Sequence, residues 1–241
     1  AGVVSEPFEG PLLRMAKTPI PAADLGRYCD YSGLVSFARS NHPIGLINAG
    51  DPERALEDVL EVGRVYQTAN SRGLQWATVT AVAIAAATKP DATVESVLDT
   101  VFEVVGSFSE RHVQDAGVVR EIKRGLDLAE GCEDFRDLRA AFDDMYSGRG
   151  IPYAFSYANE VVTKAVAIFR MVGGDLKQAI VSGVNMGRDT DCITAVAAGI
   201  SGALNGSAGL PDAWVEQVDH ATSLNRFTNS QRTIREHADG L

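Results

Sequence analysis

Apolar residues recur at intervals of three and four along most of the chain, which predicts a protein built from helices. Asp51-Pro52-Glu53 has the features of a helix start, because a capping Asp is followed by Pro and by an acidic residue. The pattern extends this helix to about Tyr66. The residues predicted on its apolar face are Ala55, Val59, Val62 and Tyr66.

The segment Leu74 to Thr88 carries Ala and Val on nearly every side, so we expect this helix at the centre of the fold. Before Pro43, scattered prolines predict loops and short helices. Strand-type alternation appears nowhere for long, and no repeat or linker divides the sequence. We therefore expect an all-α chain that forms a single domain over residues 1–241. The other predicted helices are Thr93 to Phe108, Val113 to Leu128, Asp134 to Tyr146, Tyr157 to Met171 and Asp175 to Val184.

Composition narrows the classes of partner. With 241 residues and 45% hydrophobic content, the chain can bury a substantial core. A formal net charge of -10 disfavours a nucleic-acid-binding surface. Cys29, Cys132 and Cys192 show no spacing of a disulfide scaffold or zinc site, so we expect a cytoplasmic protein. The most apolar run, Ile193 to Leu204, is too short for a membrane helix, so no membrane partner is expected.

The candidate chemistry lies in the loop from Asn185 to Asp191, between two predicted helices. Asp189 and Asp191 are two residues apart, and on a regular helix they would point to different sides. They can converge only in the turn that leads into the next helix, where two carboxylates would suit Mg²⁺ or Mn²⁺. The alternative is an ordinary N-cap, in which an Asp accepts backbone N–H bonds. Small residues from Ala195 to Ala203 favour the metal site, because they permit close packing that would bury both carboxylates.

These residues resemble the ADP-ribosylglycohydrolase family, whose signature is Gly-Gly/Arg-Asp-Thr-Asp-Thr before a small-residue helix and a Pro-x-x-Trp segment. The resemblance spans about Pro43 to His220. It implies an all-α fold, an orthogonal multi-helix bundle of the ADP-ribosylglycohydrolase type. The segments that carry it are Gly174-Asp175-Leu176, Asn185, Gly187 to Asp191, Ala195 to Gly206, Leu210-Pro211 and Trp214, with Pro43 to Leu46, Asp51 to Glu53 and Ala77 to Ala87 as further landmarks.

The resemblance also implies an activity, that of a metal-dependent hydrolase which cleaves a ribosyl glycosidic bond. The expected reaction removes ADP-ribose from a protein or from a small conjugate, with the help of two Mg²⁺ or Mn²⁺ ions. Asp189 and Asp191 are the implied catalytic residues and metal ligands. The residues expected on the substrate side are Asn185, Gly187, Arg188 and Cys192.

The chain departs from the family pattern at several positions. Cys192 follows the second Asp, where the family usually has a Thr that binds metal, and a thiol is a poor ligand for Mg²⁺. Arg188 replaces the commoner Gly and could clamp a phosphate or carboxylate of the ligand. The family's amino-terminal Thr-Asp-Asp-Thr is not intact; a degenerate counterpart is Tyr28 to Ser32, with Asp30 as the carboxylate and Ser32 as the hydroxyl.

The amino-terminal region also differs in length, because the segment between Asp30 and Pro43 is short for the family and the chain begins at Ala1 without an initiator Met. These features predict a shortened member, or one from which a segment is absent. Two other functions therefore stay open. One is a catalytically impaired binding or structural protein on the same fold, and the other is a hydrolase of another nucleoside-like substrate.

Other polar residues predict less. The four histidines lack partners at metal or nucleophile spacing, so we expect structural or solvated roles. Ser201 lacks the strand context and the matching His of a serine hydrolase. Asn159 and Glu160 fall near substrate-side positions of the family, and a capping or surface role is the alternative.

Overall fold

The computed structural model describes residues 14–29, 33–68, 71–110, 117–146, 156–224 and 232–240. Within these ranges the regular structure is helical, apart from one isolated bridge between Leu34 and Tyr157. This confirms the predicted all-α class. The α-helices are α1 (His42–Ile47), α2 (Pro52–Val62), α3 (Arg72–Ala87), α4 (Val94–Glu110), α5 (Val118–Ala129), α6 (Phe135–Met145), α7 (Ala158–Met171), α8 (Leu176–Asn185), α9 (Thr190–Asn205), α10 (Asp212–Leu224) and α11 (Ile234–Ala238).

Helix α2 begins as the sequence predicts, because the Asp51 side chain accepts a hydrogen bond from the Arg54 backbone N–H at 3.1 Å. It ends at Val62, and the chain tightens into a 3-10 turn over Gly63–Val65. The prediction that Val62 faces the core is wrong. Val62 is 45% exposed, because the buried face of α2 is formed by Ala55, Leu56 and Val59.

Helix α3 is the centre of the fold, in agreement with its apolar sequence. Ser71 caps it by accepting a hydrogen bond from the Leu74 N–H at 3.2 Å. Every residue from Gly73 to Ala87 is buried, and Trp76 is fully enclosed. Because α1, α2, α4, α7 and α9 all pack against α3, it needs no polar face.

Three consecutive helices, α7, α8 and α9, frame the loop of interest. The middle of α7, from Val161 to Phe169, is buried without interruption. Asp175 caps α8 through a 2.7 Å hydrogen bond from the Gln178 N–H. Helices α8 and α9 then approach closely at Gly183, where an added Cβ would lie 2.5 Å from Thr194 Oγ1. The loop between them is therefore held by two tightly packed helices.

His42 ties the short helix α1 to α9. Its Nε2 lies 2.9 Å from the Ala195 carbonyl oxygen, and its ring packs on Gly199 so closely that a Cβ there would lie 2.2 Å from His42 Cδ2. Burial lowers the pKa of the His42 ring, more than the bond to Ala195 raises it. The contact makes the role of His42 structural.

The periphery differs more from the sequence-based prediction. Helix α5 begins at Val118 after a left-handed Gly117, whereas the apolar pattern predicts a start at Val113. Residues 111–116 lie outside the described residues. Helix α10 has no buried residue, and its Trp214 is 37% exposed. In the described part of the chain, no helix has both the length and the apolar composition needed to cross a bilayer.

Candidate active site

The loop between α8 and α9 reverses direction within four residues, Met186 to Asp189. Gly187 and Arg188 both adopt left-handed backbone, with φ of 74° and 61°. Glycine tolerates this region freely, whereas a side chain such as that of Arg188 rarely adopts it. Met186 is fully buried beneath the turn. The two consecutive left-handed residues place Asp189 at the amino terminus of α9.

Asp189 occupies the N-cap position of α9 but does not act as a cap. Its side chain accepts no hydrogen bond from the first turn of the helix. The residue is only 4% exposed, and its Oδ2 is buried without a hydrogen-bond partner among the described residues. The ordinary N-cap alternative therefore does not describe Asp189. A buried carboxylate oxygen without a partner is costly, and a bound cation would satisfy it.

Asp191 converges with Asp189, as the spacing argument requires. One side-chain atom from each of Asp189, Asp191 and Cys192 can be chosen so that all three lie within 4.8 Å of one another. Asp189 and Cys192 are buried, but Asp191 is exposed, so the expectation that both carboxylates are buried is wrong for Asp191. The cluster therefore combines an inner carboxylate with an outer one that solvent can reach. This arrangement suits a cation that enters from solvent and is then held by the inner oxygen.

The two carboxyl groups have opposite pKa shifts. Burial raises the pKa of Asp189, and the neighbouring Asp191 adds to this, outweighing hydrogen bonds with Cys192 and Ser156. The pKa of Asp191 is lowered, first by its hydrogen bond with Asp189, then by bonds from the backbone N–H groups of Asp191 and Cys192, and also by the charge of Arg39. In the absence of a cation the pair thus favours one proton, held on Asp189 and donated to the Asp191 carboxylate.

Cys192 is the least suitable member of the cluster. It is 5% exposed, and its Sγ lies 3.9 Å from Asp191 Oδ2. Burial raises the pKa of the thiol strongly, and the bond to Asp189 raises it further. A thiol binds metal as the thiolate, and it is a soft ligand. The two carboxylates therefore fit a hard divalent ion, whereas the protonated thiol does not.

The predicted substrate-side residues have different surroundings. The Asn185 side chain donates to its own helix, at 2.8 Å from the Val181 carbonyl oxygen. The Arg139 guanidinium packs close to the Gly187 backbone, so that a Cβ added at Gly187 would lie 3.3 Å from it. Arg188 turns to the buried Glu160, and its Nη2 lies 2.9 Å from Glu160 Oε2. The structure thus gathers Asp189, Asp191 and Cys192 and directs Asn185 and Arg188 elsewhere.

Asp30 and Ser32, the predicted amino-terminal half of the metal site, lie outside the described residues. Sequence reasoning missed Arg39, whose charge reaches Asp191 and Cys192 from a distant part of the chain. No local spacing signals that proximity. It also missed the partner of Glu160, the buried Lys164, at 2.9 Å. Here a signal exists, because Glu and Lys four residues apart on an apolar helix form a favourable pair.

The fold and site together define an all-α protein with an acidic cluster at a helix start, suited to a hard divalent ion. The sequence matches the ADP-ribosylglycohydrolase family over residues 13–239. The chain therefore belongs to the ADP-ribosylglycohydrolase family, a family of hydrolases. Comparisons with curated proteins and with solved structures gave no match.

Proposed function

We propose that this protein is a divalent-metal-dependent glycohydrolase that removes ADP-ribose from a protein or from a small conjugate. The observation that supports the proposal best is the buried Oδ2 of Asp189, which has no partner among the described residues and lies beside Asp191. Family membership supports the reaction class. Under this proposal Asp189 and Asp191 would hold Mg²⁺ or Mn²⁺, and a bound ion of this kind lowers the pKa of a water and orients ribose hydroxyls.

The residues of the chain then have distinct tasks. The Asp189 carboxylate, fixed by the packing of α8 on α9, supplies the inner ligand in a water-poor environment where charge interactions are strong. Asp191, at the solvent side, supplies the outer ligand. Glycosidic cleavage passes through an oxocarbenium-like transition state. Arg39 brings a positive charge to the same edge, where a diphosphate could bind.

The test is release of ADP-ribose from a panel of N-linked and O-linked ADP-ribosylated proteins and small conjugates, with added Mg²⁺ or Mn²⁺ and with EDTA. We expect metal-dependent release that Asp191→Asn lowers at least a hundredfold, since it removes the negative charge of a direct ligand. The matched control is Asp175→Asn at the start of α8, because Asn caps a helix as well as Asp does. Release that is indifferent to EDTA and to Asp191→Asn would refute the proposal.

A second function is favoured by one observation, the protonated and buried thiol of Cys192 beside the carboxylates. If it prevents productive metal binding, the protein would bind ADP-ribose on the same fold without hydrolysing its conjugates. Calorimetric titration with ADP-ribose separates the two functions. Binding without turnover of any conjugate in the panel supports the binding protein, and turnover of a different nucleoside conjugate supports the hydrolase with another substrate.

A further inference from the structure

Arg188 is held in an unusual way for a residue on an exposed turn. Its backbone is left-handed at φ 61°, a region that favours glycine. Its side chain, 30% exposed, turns inward and binds Glu160 with two nitrogens, Nε to Oε1 and Nη2 to Oε2, the latter at 2.9 Å. Such a two-point pair fixes a guanidinium in both position and plane. The side chain therefore holds the backbone in a conformation that it would otherwise avoid.

Glu160 is itself immobilised. Its side chain is 6% exposed. Its Oε1 forms a second ion pair, at 2.9 Å, with Nζ of Lys164, whose side chain is completely buried. Both residues belong to α7, in which Val161 to Phe169 are all buried. A buried carboxylate between two cations has little freedom, because any movement would leave a charge without its partner. Arg188 is thus attached to a rigid part of the core.

The attachment point lies directly before the candidate metal ligand. Arg188 precedes Asp189 in the chain, and the Arg188 carbonyl oxygen accepts the Thr190 N–H at 3.1 Å. Ser156, two residues before α7 begins, hydrogen-bonds the Asp189 carboxyl group directly. Asp189 has no capping bond of its own to fix it. Direct bonds with Ser156 and Cys192 hold its carboxyl group, and the Arg188 pair fixes the backbone of the residue directly before it.

We propose that Arg188 is a positioning residue, whose ion pair with Glu160 and Lys164 fixes the Asp189 carboxylate in place beside Asp191. The inference rests on the proposed function, in which these carboxylates hold a divalent ion. It differs from a substrate clamp, because two of the three guanidinium nitrogens already face Glu160. It also differs from a purely stabilising ion pair, since what it fixes is the geometry of a ligand set.

The sharpest variant is Arg188→Gly. Glycine suits a φ of 61°, so this change removes the anchor and relieves backbone strain at once. Global stability is therefore expected to change little while the loop loosens. Glu160→Gln is less suitable, because it leaves the buried Lys164 without a counter-charge and tests folding instead. The matched control is Asp91→Gly, since Asp91 is the other described non-glycine residue with positive φ, at 59° and away from the cluster.

Three measurements test the proposal: the Kd of Mn²⁺ alone, amide hydrogen exchange of residues 186–192 in metal-free protein, and the kcat and KM for release of ADP-ribose. For Arg188→Gly we expect a 10- to 100-fold weaker Mn²⁺ Kd, the usual effect of losing the support of a ligand. Exchange should accelerate at least tenfold. Arg188→Lys keeps the charge without the two-point pair, so it should fall between wild type and Arg188→Gly. Asp91→Gly should match wild type in all three.

The outcomes separate this inference from the proposed function. Unchanged Mn²⁺ affinity and unchanged exchange in Arg188→Gly would overturn the positioning role, even if the wild type is an active hydrolase. A raised KM with unchanged Mn²⁺ affinity would also overturn it and make Arg188 a substrate clamp. If the wild type binds no Mn²⁺, the proposed function fails, whereas faster exchange in Arg188→Gly alone would still support the fixing of Asp189 and unchanged exchange would refute it.

Discussion

Asp189 carries a carboxylate at a position where its charge is unfavourable. Burial raises its pKa above that of the unfolded chain, which lies near 4. The folded state therefore holds this proton more tightly than the unfolded state does. The stabilising contribution is complete below the unfolded pKa and is lost as pH rises through the folded pKa. At higher pH a metal-free protein retains a buried negative charge that a cation would neutralise.

This argument predicts the effect of Asp189→Asn on the metal-free protein. We expect the variant to gain stability relative to wild type as pH rises from about 4 to about 8, because the amide carries no charge and can donate to Asp191 as the protonated carboxyl does. Urea unfolding in EDTA at both pH values measures the difference. Asp175→Asn, at a capping Asp, should track wild type within a few tenths of a kcal/mol. The prediction would be contradicted if the stability of the wild type rose relative to that of the variant as pH increases.

Cys192 gives a second prediction at the scale of one residue. Cys192→Thr replaces a protonated thiol by the hydroxyl that the family usually has at this position, with little change in volume. Because a hydroxyl oxygen is a harder ligand than sulfur, we expect the Mg²⁺ concentration for half-maximal activity to fall on the order of tenfold. Cys132→Thr is the control, since Cys132 lies outside the cluster. An unchanged Mg²⁺ requirement would show that position 192 does not contact the ion.

At the scale of the elements, most helices follow from local patterns in the sequence. The prediction of Asp134 to Tyr146 corresponds to α6, Phe135–Met145, because Asp134 caps the helix and apolar residues recur behind it. Helix α3 is equally clear, since its apolar surface extends all the way round. The exposure of Val62 is not visible in the sequence. It depends on where neighbouring helices lie, and spacing within α2 does not report that.

In the candidate site, too, some contacts follow from the local sequence and others depend on tertiary packing. The convergence of Asp189 and Asp191 follows from the local sequence, because Asp189 directly precedes α9 and Asp191 lies in its first turn. The contact of Arg188 with Glu160 joins residues from different helices, so no local rule could find it. Arg39 approaches Asp191 from a still more distant segment. Tertiary packing determines such pairs, and a sequence read without a fold does not contain their distances.

The close contact of α8 and α9 gives a prediction for the elements themselves. In Gly183→Ala the new Cβ would lie 2.5 Å from Thr194 Oγ1 and 2.8 Å from Thr194 Cα, so the helices must separate. We expect a loss of about 1–3 kcal/mol in the free energy of unfolding. The control, Gly202→Ala in α9, meets nothing closer than 3.9 Å and should be neutral or gain up to about 1 kcal/mol. Equal stabilities of the two variants in urea unfolding would contradict the tight contact.

For the whole molecule, the formal charge of -10 affects how any metal experiment must be read. An acidic surface attracts divalent cations without a specific site, and added salt screens that attraction. Stabilisation by Mg²⁺ alone is therefore weak evidence for a site. A variant that removes one carboxylate of the cluster changes the total charge by only one unit, so it separates the specific effect from the general one.

We therefore expect low millimolar Mn²⁺ to raise the melting temperature of the wild type by several degrees at physiological salt, and that of Asp191→Asn by much less. A ligand at 100 times its Kd stabilises by about 2.7 kcal/mol, and for a chain of this length each kcal/mol shifts the midpoint by about 2–4 °C. The shift should grow as pH rises through the raised pKa of Asp189, because Asp189 must lose its proton before it can bind an ion. Equal shifts in both proteins would show that the effect comes from the acidic surface, and they would contradict metal binding at Asp189 and Asp191.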